Sequence, residues 1–242
     1  MNKSLTQVLK KETAAIILAG GTARRLADKR PPGGKAECII GGQSLLSIVS
    51  GALVPVARLI LVVGGELPKV SSQELVPIRH IPDHQPGSGP LAAVRDGLRW
   101  IWHEHSRSLP QFVILSACDL PSIKSSLVSE MVDRFPQDEL STRWVIPEVG
   151  KRLQYLFSVC RPTILQPLDS FLRLVVVTFV VLFNIFRSMN QRVFTSYQMP
   201  SGGQLIQMLM PAVTLILQLI SPFTPVTLHI DSRDALYSCQ RV

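Results

Sequence analysis

The 242-residue chain has little of what marks several large classes of protein. Its four cysteines, Cys38, Cys118, Cys160 and Cys239, are widely spaced and form no CxxC pair. That argues against a zinc knuckle and a disulfide framework, and it fits a reducing cytoplasm. Aromatic residues make up only 6% of the chain and are not interleaved with basic ones. The pattern of an RNA-binding sheet is therefore missing, and nucleic acid is a poor candidate for a partner. There is no internal repeat and no low-complexity tract. A membrane-spanning helix needs roughly 20 predominantly apolar residues, and neither long apolar run supplies them cleanly. Leu174 to Phe183 is short and bounded by Arg173 and Arg187, and Leu205 to Ile220 is broken by Gln207, Pro211 and Gln218. Both read better as buried strand or helix, or as an aberrant insertion, than as membrane segments. The apolar run Ala14 to Ala19 is too short for a secretory signal and reads as a buried strand.

What is present is a chain of 46% hydrophobic residues, enough for the core of one large α/β domain, and we expect a single domain over residues 1–242. Its 25 Lys+Arg against 17 Asp+Glu give a net charge of +8, which suits a polyanionic ligand such as a triphosphate. Up to about Gly150 apolar strand-like runs alternate with helix-like stretches, the pattern of βαβ units in a mostly parallel sheet. Strands are expected at Ala14 to Leu18, Leu59 to Val63, Val76 to Ile81, Phe112 to Ala117 and Trp144 to Pro147, and late in the chain at Val226 to Ile230. Helices are expected near Ser44 to Leu53 and Pro90 to His103. In the second of these Leu91, Val94, Leu98, Ile101 and Trp102 recur at helical spacing, which puts Trp102 in the core and Trp100 at an edge. Ser88 and Gly89 are its capping candidates, ahead of Pro90 at the first helical position.

The chemistry concentrates at strand ends. Leu18, Ala19, Gly20 and Gly21 close the first strand, and Thr22-Ala23-Arg24-Arg25-Leu26 follows. Glycines without side chains let backbone N–H groups approach phosphate oxygens, and the arginines offer charge for them. A bare Gly-Gly would be an ordinary turn, but Arg24, Arg25 and then Lys35 favour phosphate binding. Asp119 stands at the carboxyl end of an apolar strand, where open α/β sheets bind ligands, and its hard oxygens suit Mg²⁺. The alternative for Asp119 is a helix N-cap, and the same alternative holds for Asp231. His80 and His84 flank Asp83, and His103 and His105 form an HxH pair, yet neither arrangement favours a metal. Cys118 has no histidine close in sequence to activate it and reads as a small buried residue.

These residues resemble the signature of the molybdenum cofactor guanylyltransferases, L-A-G-G-x-x-x-R-[ML]-G followed shortly by lysine. Arg25 stands at the signature arginine, and Ala27 replaces the family's next glycine. Lys35 matches the lysine best, because Gly41-Gly42 and Ser44-Leu45-Leu46 follow at the family's distance; Lys29 is the competing choice. Pro86-Gly87-Ser88-Gly89-Pro90-Leu91-Ala92-Ala93 looks like the family's G-G-P-L-A-A turn and helix. Leu115 to Pro121 looks like its A-C-D-x-P strand end. Arg152 to Phe157 resembles the R-x-x-P-L stretch of the guanylyl branch, with Tyr155 in place of proline, and His229 to Leu236 resembles D-V-D-T-P-E-D-L. The resemblance covers Ala14 to about Leu172 and Ser201 to Leu236, leaving Arg173 to Pro200 as an atypical segment.

The resemblance implies a three-layer α/β sandwich of the nucleotide-diphospho-sugar transferase type, with a mostly parallel, Rossmann-like sheet. It implies a cytoplasmic enzyme that moves GMP from GTP to molybdopterin and releases pyrophosphate with Mg²⁺. Leu18, Ala19, Gly20, Gly21, Arg25, Lys35, Asp83, Gly89 and Pro90 would then bind the nucleotide. Asp83 would approach its sugar, and Asp119 and Asp231 would hold the metal. Other readings left open are a cytidylyl or sugar-phosphate transferase on the same scaffold, a nucleotide-binding module without activity, and a membrane-associated relative.

Overall fold

The computed structural model describes residues 12–21, 31, 34–65, 76–85, 87–136, 143–150 and 152–174, and the backbone alone of residues 226–229. The chain divides into two compact units, Met1–Leu165 with Pro225–Val242, and Gln166–Thr224. In the second unit the described residues, 166–174, are helical.

The first unit is built on one mixed sheet. Its strands are β1 (Thr13–Leu18), β4 (Leu59–Val63), β5 (Ile78–Ile81), β6 (Phe112–Ala117), β7 (Trp144–Val149), β8 (Arg152–Leu153), β9 (Phe157–Cys160) and β10 (Val226–His229). Two further strands, β2 (Ile39–Ile40) and β3 (Gln43–Ser44), form a separate hairpin. Across the sheet the order is β5-β4-β1-β6-β9-β7-β10, with β8 folded back on β7. The pairs β5–β4, β4–β1, β1–β6 and β7–β10 are parallel, while β9 runs antiparallel to both neighbours. The fold is the mostly parallel α/β arrangement expected from the alternation of apolar runs.

Continuous apolar strands follow from burial on both faces. In β1, Ala15 and Ile17 face a core shared with α1 (Leu45–Leu53) and α3 (Ser125–Asp133), packing with Leu46, Val49, Leu53, Val128, Met131 and Val132. Ile16 points to the opposite face, where α2 (Pro90–Glu104) lies. Here α2 comes unusually close, because a Cβ on Gly97 would sit 2.9 Å from Ile16 Cδ1 and 3.3 Å from Val63 Cγ2. Helix α1 begins as its sequence suggests, with Ser44 Oγ accepting from the Ser47 amide at 3.1 Å.

Several expectations need correction. Strand β5 begins at Ile78, two residues late; Pro77 just before it has no amide hydrogen to give the ladder. Strand β7 runs on to Val149. Of the two capping candidates of α2, Gly89 is the N-cap as expected, at φ +86 and with no side-chain cap, whereas Ser88 is not, its amide donating to the Gln85 carbonyl at 3.0 Å. Trp102 is 41% exposed and not core, because the buried stripe of α2 is centred on Ala93, Gly97 and Ile101, which leaves Trp102 at its margin. Trp100 is part-exposed, as expected for an edge, and its ring meets that of His105. Strand β9 and helix α3 were not anticipated. Among the described residues, no helix is long and apolar enough to cross a membrane.

The close approach at Gly97 makes a stability prediction. Gly97→Val should force α2 off the sheet and lower unfolding free energy by about 1–3 kcal/mol. Urea denaturation followed by circular dichroism checks it, and an unchanged midpoint would contradict the packing.

Candidate nucleotide site

At the carboxyl ends of β1, β4 and β5 the chain is packed backbone against backbone. The Ala19 amide continues the ladder to Val63 O at 2.9 Å, and the next residue, Gly20, lies directly against Gly64. Gly64 has φ +71, and a Cβ there would be 2.8 Å from Gly20 Cα and 2.9 Å from Gly20 N, so neither bulk nor ordinary backbone geometry is tolerated. A Cβ on Gly20 would in turn lie 3.3 Å from Asp83 Oδ2. Asp83 is held by its other oxygen, which accepts from the Gln85 amide at 3.0 Å in an Asx turn. His80 Nε2 lies 2.8 Å from the Gly65 carbonyl, so its ring serves this turn. Leu18, Ala19, Gly20, Gly21 and Asp83 are thus assembled at one edge. The loop from Gln85, tied at Ser88, leads to Gly89, Pro90 and the start of α2.

The second half of the site comes from the other side of β1. Beyond Gly21 the chain comes back to it at Gly34, φ +78, where a Cβ would be 3.0 Å from Gly21 O. Lys35 follows in a short 3-10 turn, Gly34–Glu37, and its Nζ donates to Asp119 Oδ2 at 2.8 Å across 84 residues of sequence. Asp119 is placed by β6, and the Cys118 amide beside it donates to Leu18 O at 3.2 Å, so the carboxylate is anchored to the end of β1. The two side chains are 39% and 41% exposed, enough to reach a ligand. Asp119 does not cap α3, whose N-cap is Lys124. Arg25, the competing Lys29, and Asp231 lie outside the described residues; the strand that leads toward Asp231, β10, pairs parallel with β7.

Cys118 is not a nucleophile at neutral pH. Burial first, and the Asp119 carboxylate second, push its thiol up to about 11. Burial also raises the thiol of Cys160. Among the described residues no three histidines, cysteines or carboxylates gather as a metal cluster. The donor set at Asp119 is instead one half-exposed carboxylate beside a phosphate-binding candidate. That suits Mg²⁺, which keeps waters and takes one or two carboxylates together with substrate phosphates.

Two features escaped the reading of the sequence. Gly64-Gly65 closes β4 just as Gly20-Gly21 closes β1, and the repeat of an apolar run ending in paired glycines was a visible signal. The second is the place of the stretch Arg152 to Phe157, which the sequence singles out only by resemblance. The Leu156 carbonyl accepts from the Ala117 amide at 2.7 Å, so Arg152 to Phe157 adjoins the strand end that carries Asp119. Tyr155, half exposed, meets the Trp144 ring edge-on at 6.4 Å, and Trp144 Nε1 donates to Ser158 Oγ at 2.9 Å.

Residues 15–175 match the family described as the MobA-like NTP transferase domain. No curated protein matches the chain by sequence. Among solved structures, the chain is similar to a Mycobacterium sp. strain JC1 homologue of Mycobacterium tuberculosis rv0371c, at 16% identity and TM-score 0.52, over 93% of this chain and 88% of that one. It is also similar to a 4-diphosphocytidyl-2C-methyl-D-erythritol synthase from Anaerococcus prevotii, at 11% identity and TM-score 0.52, over 92% and 90%. A hypothetical transferase from Thermus thermophilus aligns at 17% identity and TM-score 0.52, over 90% and 92%. At such identities these likenesses speak for the fold alone. With its glycine-closed strand ends and the Lys35–Asp119 pair beside them, the chain belongs to the MobA-like NTP transferase domain family and is a nucleotidyltransferase.

Proposed function

We propose that this enzyme transfers GMP from GTP to the phosphate of molybdopterin. The observation that carries the reading is the 2.8 Å contact between Lys35 Nζ and Asp119 Oδ2 beside the Gly20–Gly64 backbone contact. It brings a phosphate-binding cation and a metal-binding carboxylate to one point, next to backbone that a triphosphate can approach closely. The guanylyl assignment rests on the likeness of the stretch Arg152 to Phe157 to the guanylyl branch.

In the reaction, a phosphate oxygen of the acceptor forms a bond to the α-phosphorus of GTP, the α–β bridging P–O bond breaks, and pyrophosphate leaves. No covalent enzyme intermediate is needed. Leu18, Ala19, Gly89 and Pro90 flank the nucleoside, and Asp83 meets its sugar. The amides of Gly20 and Gly21, with Arg25 and Lys35, carry the triphosphate. Asp119 and Asp231 hold Mg²⁺, which would neutralise charge on the reacting phosphates. Strands β6 and β10 are three spacings apart, about 14 Å. Two extended residues span about 7 Å, so the segments beyond both strands must bend toward the middle of the sheet for the carboxylates to share one ion. Lys35 then orients the phosphate chain, because an ammonium that moves from carboxylate to phosphate keeps its charge satisfied throughout.

Two measurements test this reading. Lys35→Ala should weaken triphosphate binding more than Lys29→Ala does in calorimetric titration; the reverse order would transfer the signature role to Lys29. GTP should be held more tightly than CTP or ATP. A site that pairs the guanine edge leaves buried groups unsatisfied with another base, at about 1–3 kcal/mol each, so two such groups give discrimination on the order of a hundredfold. Equal displacement of labelled GTP by CTP would remove the guanylyl assignment and leave a nucleotidyltransferase of another base preference.

A further inference from the structure

Helix α2 contains a costly arrangement that the proposed reaction does not use. Asp96 is buried, and both recorded contacts of its carboxylate are made by Oδ1 with the adjacent Arg95, from Nε at 2.9 Å and from Nη2 at 2.8 Å. Asp96 Oδ2 is buried with no hydrogen-bond partner among the described residues. A buried ion pair with an unsatisfied oxygen contributes little to stability and often costs some, so it needs a reason other than folding. One of the two guanidinium nitrogens that bond Asp96 supplies a reason. Arg95 Nη2 also reaches Gln85 Oε1, at 3.4 Å, across ten residues of sequence. Arginine has only donors, so the Gln85 atom that faces it must be the carbonyl oxygen, and the amide cannot flip without setting donor against donor. Asp96 fixes Arg95, Arg95 fixes Gln85, and the Gln85 NH₂ is left as a donor of set orientation.

Gln85 belongs to the loop that approaches the nucleoside. Its own amide donates to Asp83 Oδ1, and Asp83 Oδ2 lies beside Gly20. Two residues beyond the group assigned to the sugar, an oriented donor is matched by the O6 acceptor of guanine and opposed by the N6 amine of adenine. We propose that Gln85 is a specificity-determining residue that donates to O6 of the purine, with Arg95 and Asp96 as its positioning residues. This inference rests on the guanylyl reading above and names the residue behind the base preference.

The test compares GTP with 2-aminopurine riboside triphosphate, which lacks O6 and the N1 proton, by competition against a labelled GTP analogue. Wild-type protein should prefer GTP. In Gln85→Ala, affinity for GTP should fall about tenfold while that for the 2-aminopurine nucleotide stays level, so the ratio falls about tenfold and what remains reads the N1 proton. The double variant Arg95→Met/Asp96→Leu removes both charges together and should keep the fold while losing part of the ratio. A GTP preference in wild type that survives intact in folded Gln85→Ala would overturn the role of Gln85 and leave the guanylyl reading standing. The absence of any GTP preference in wild type would overturn both.

Discussion

The site depends on the ion pair between Lys35 and Asp119. Lys35 sits on the four-residue 3-10 turn and Asp119 on the turn that leaves β6. Each is fixed through β1, Gly34 by its contact with the Gly21 carbonyl and Cys118 by its bond to Leu18 O. The end of β1 is therefore the common reference for both charges. A half-exposed pair of this kind adds little stability, so its value lies in the position it defines.

That position is reachable because the neighbouring strand ends carry no side chains. Gly20 and Gly64 touch through their backbones, and Asp83 closes the gap from β5. The parallel order β5-β4-β1-β6 aligns four carboxyl ends along one edge, with glycine turns at β1 and β4, Asp83 beyond β5 and Asp119 beyond β6. The antiparallel β9 interrupts this order and puts its amino end, not its carboxyl end, at that edge. It brings instead the loop before it, whose Leu156 carbonyl binds Ala117. Charge, bare backbone and strand direction thus converge on one surface, where positioning and neutralisation are all that nucleotidyl transfer asks of a protein.

Much of this was legible in the sequence because double burial writes itself plainly. β1, β4 and β6 are runs of apolar residues closed by glycine or by Cys118-Asp119, and they were located to within a residue. Helix α3 was hidden because Lys124 is a poor cap, although Val128, Met131 and Val132 carry a helical period. β9 was hidden because a run as short as Phe157-Ser158-Val159-Cys160 does not reveal its direction; a short turn before it permits the antiparallel pairing that a helical crossover would have excluded. Trp102 was misplaced because Leu98 is the last buried position on that flank of α2, and Trp102, one turn further on, lies about 40° beyond it and reaches solvent. The meeting of Lys35 with Asp119 is a long-range contact that no local pattern encodes, and only the order of motifs suggested that both residues serve one ligand. The Gln85–Arg95–Asp96 chain left no trace in the sequence, since adjacent opposite charges on a helix ordinarily mark a solvated face.

The most direct test of the account is diffraction from crystals of the protein with Mn²⁺ and a non-hydrolysable GTP analogue, collected at a wavelength where manganese scatters anomalously. The account requires a manganese peak about 2.1 Å from an Asp119 carboxylate oxygen, with Lys35 Nζ within hydrogen-bond reach of a phosphate oxygen. A manganese ion held by the phosphates with Asp119 still bound to Lys35, or a nucleotide seated away from Gly20 and Gly64, would contradict it.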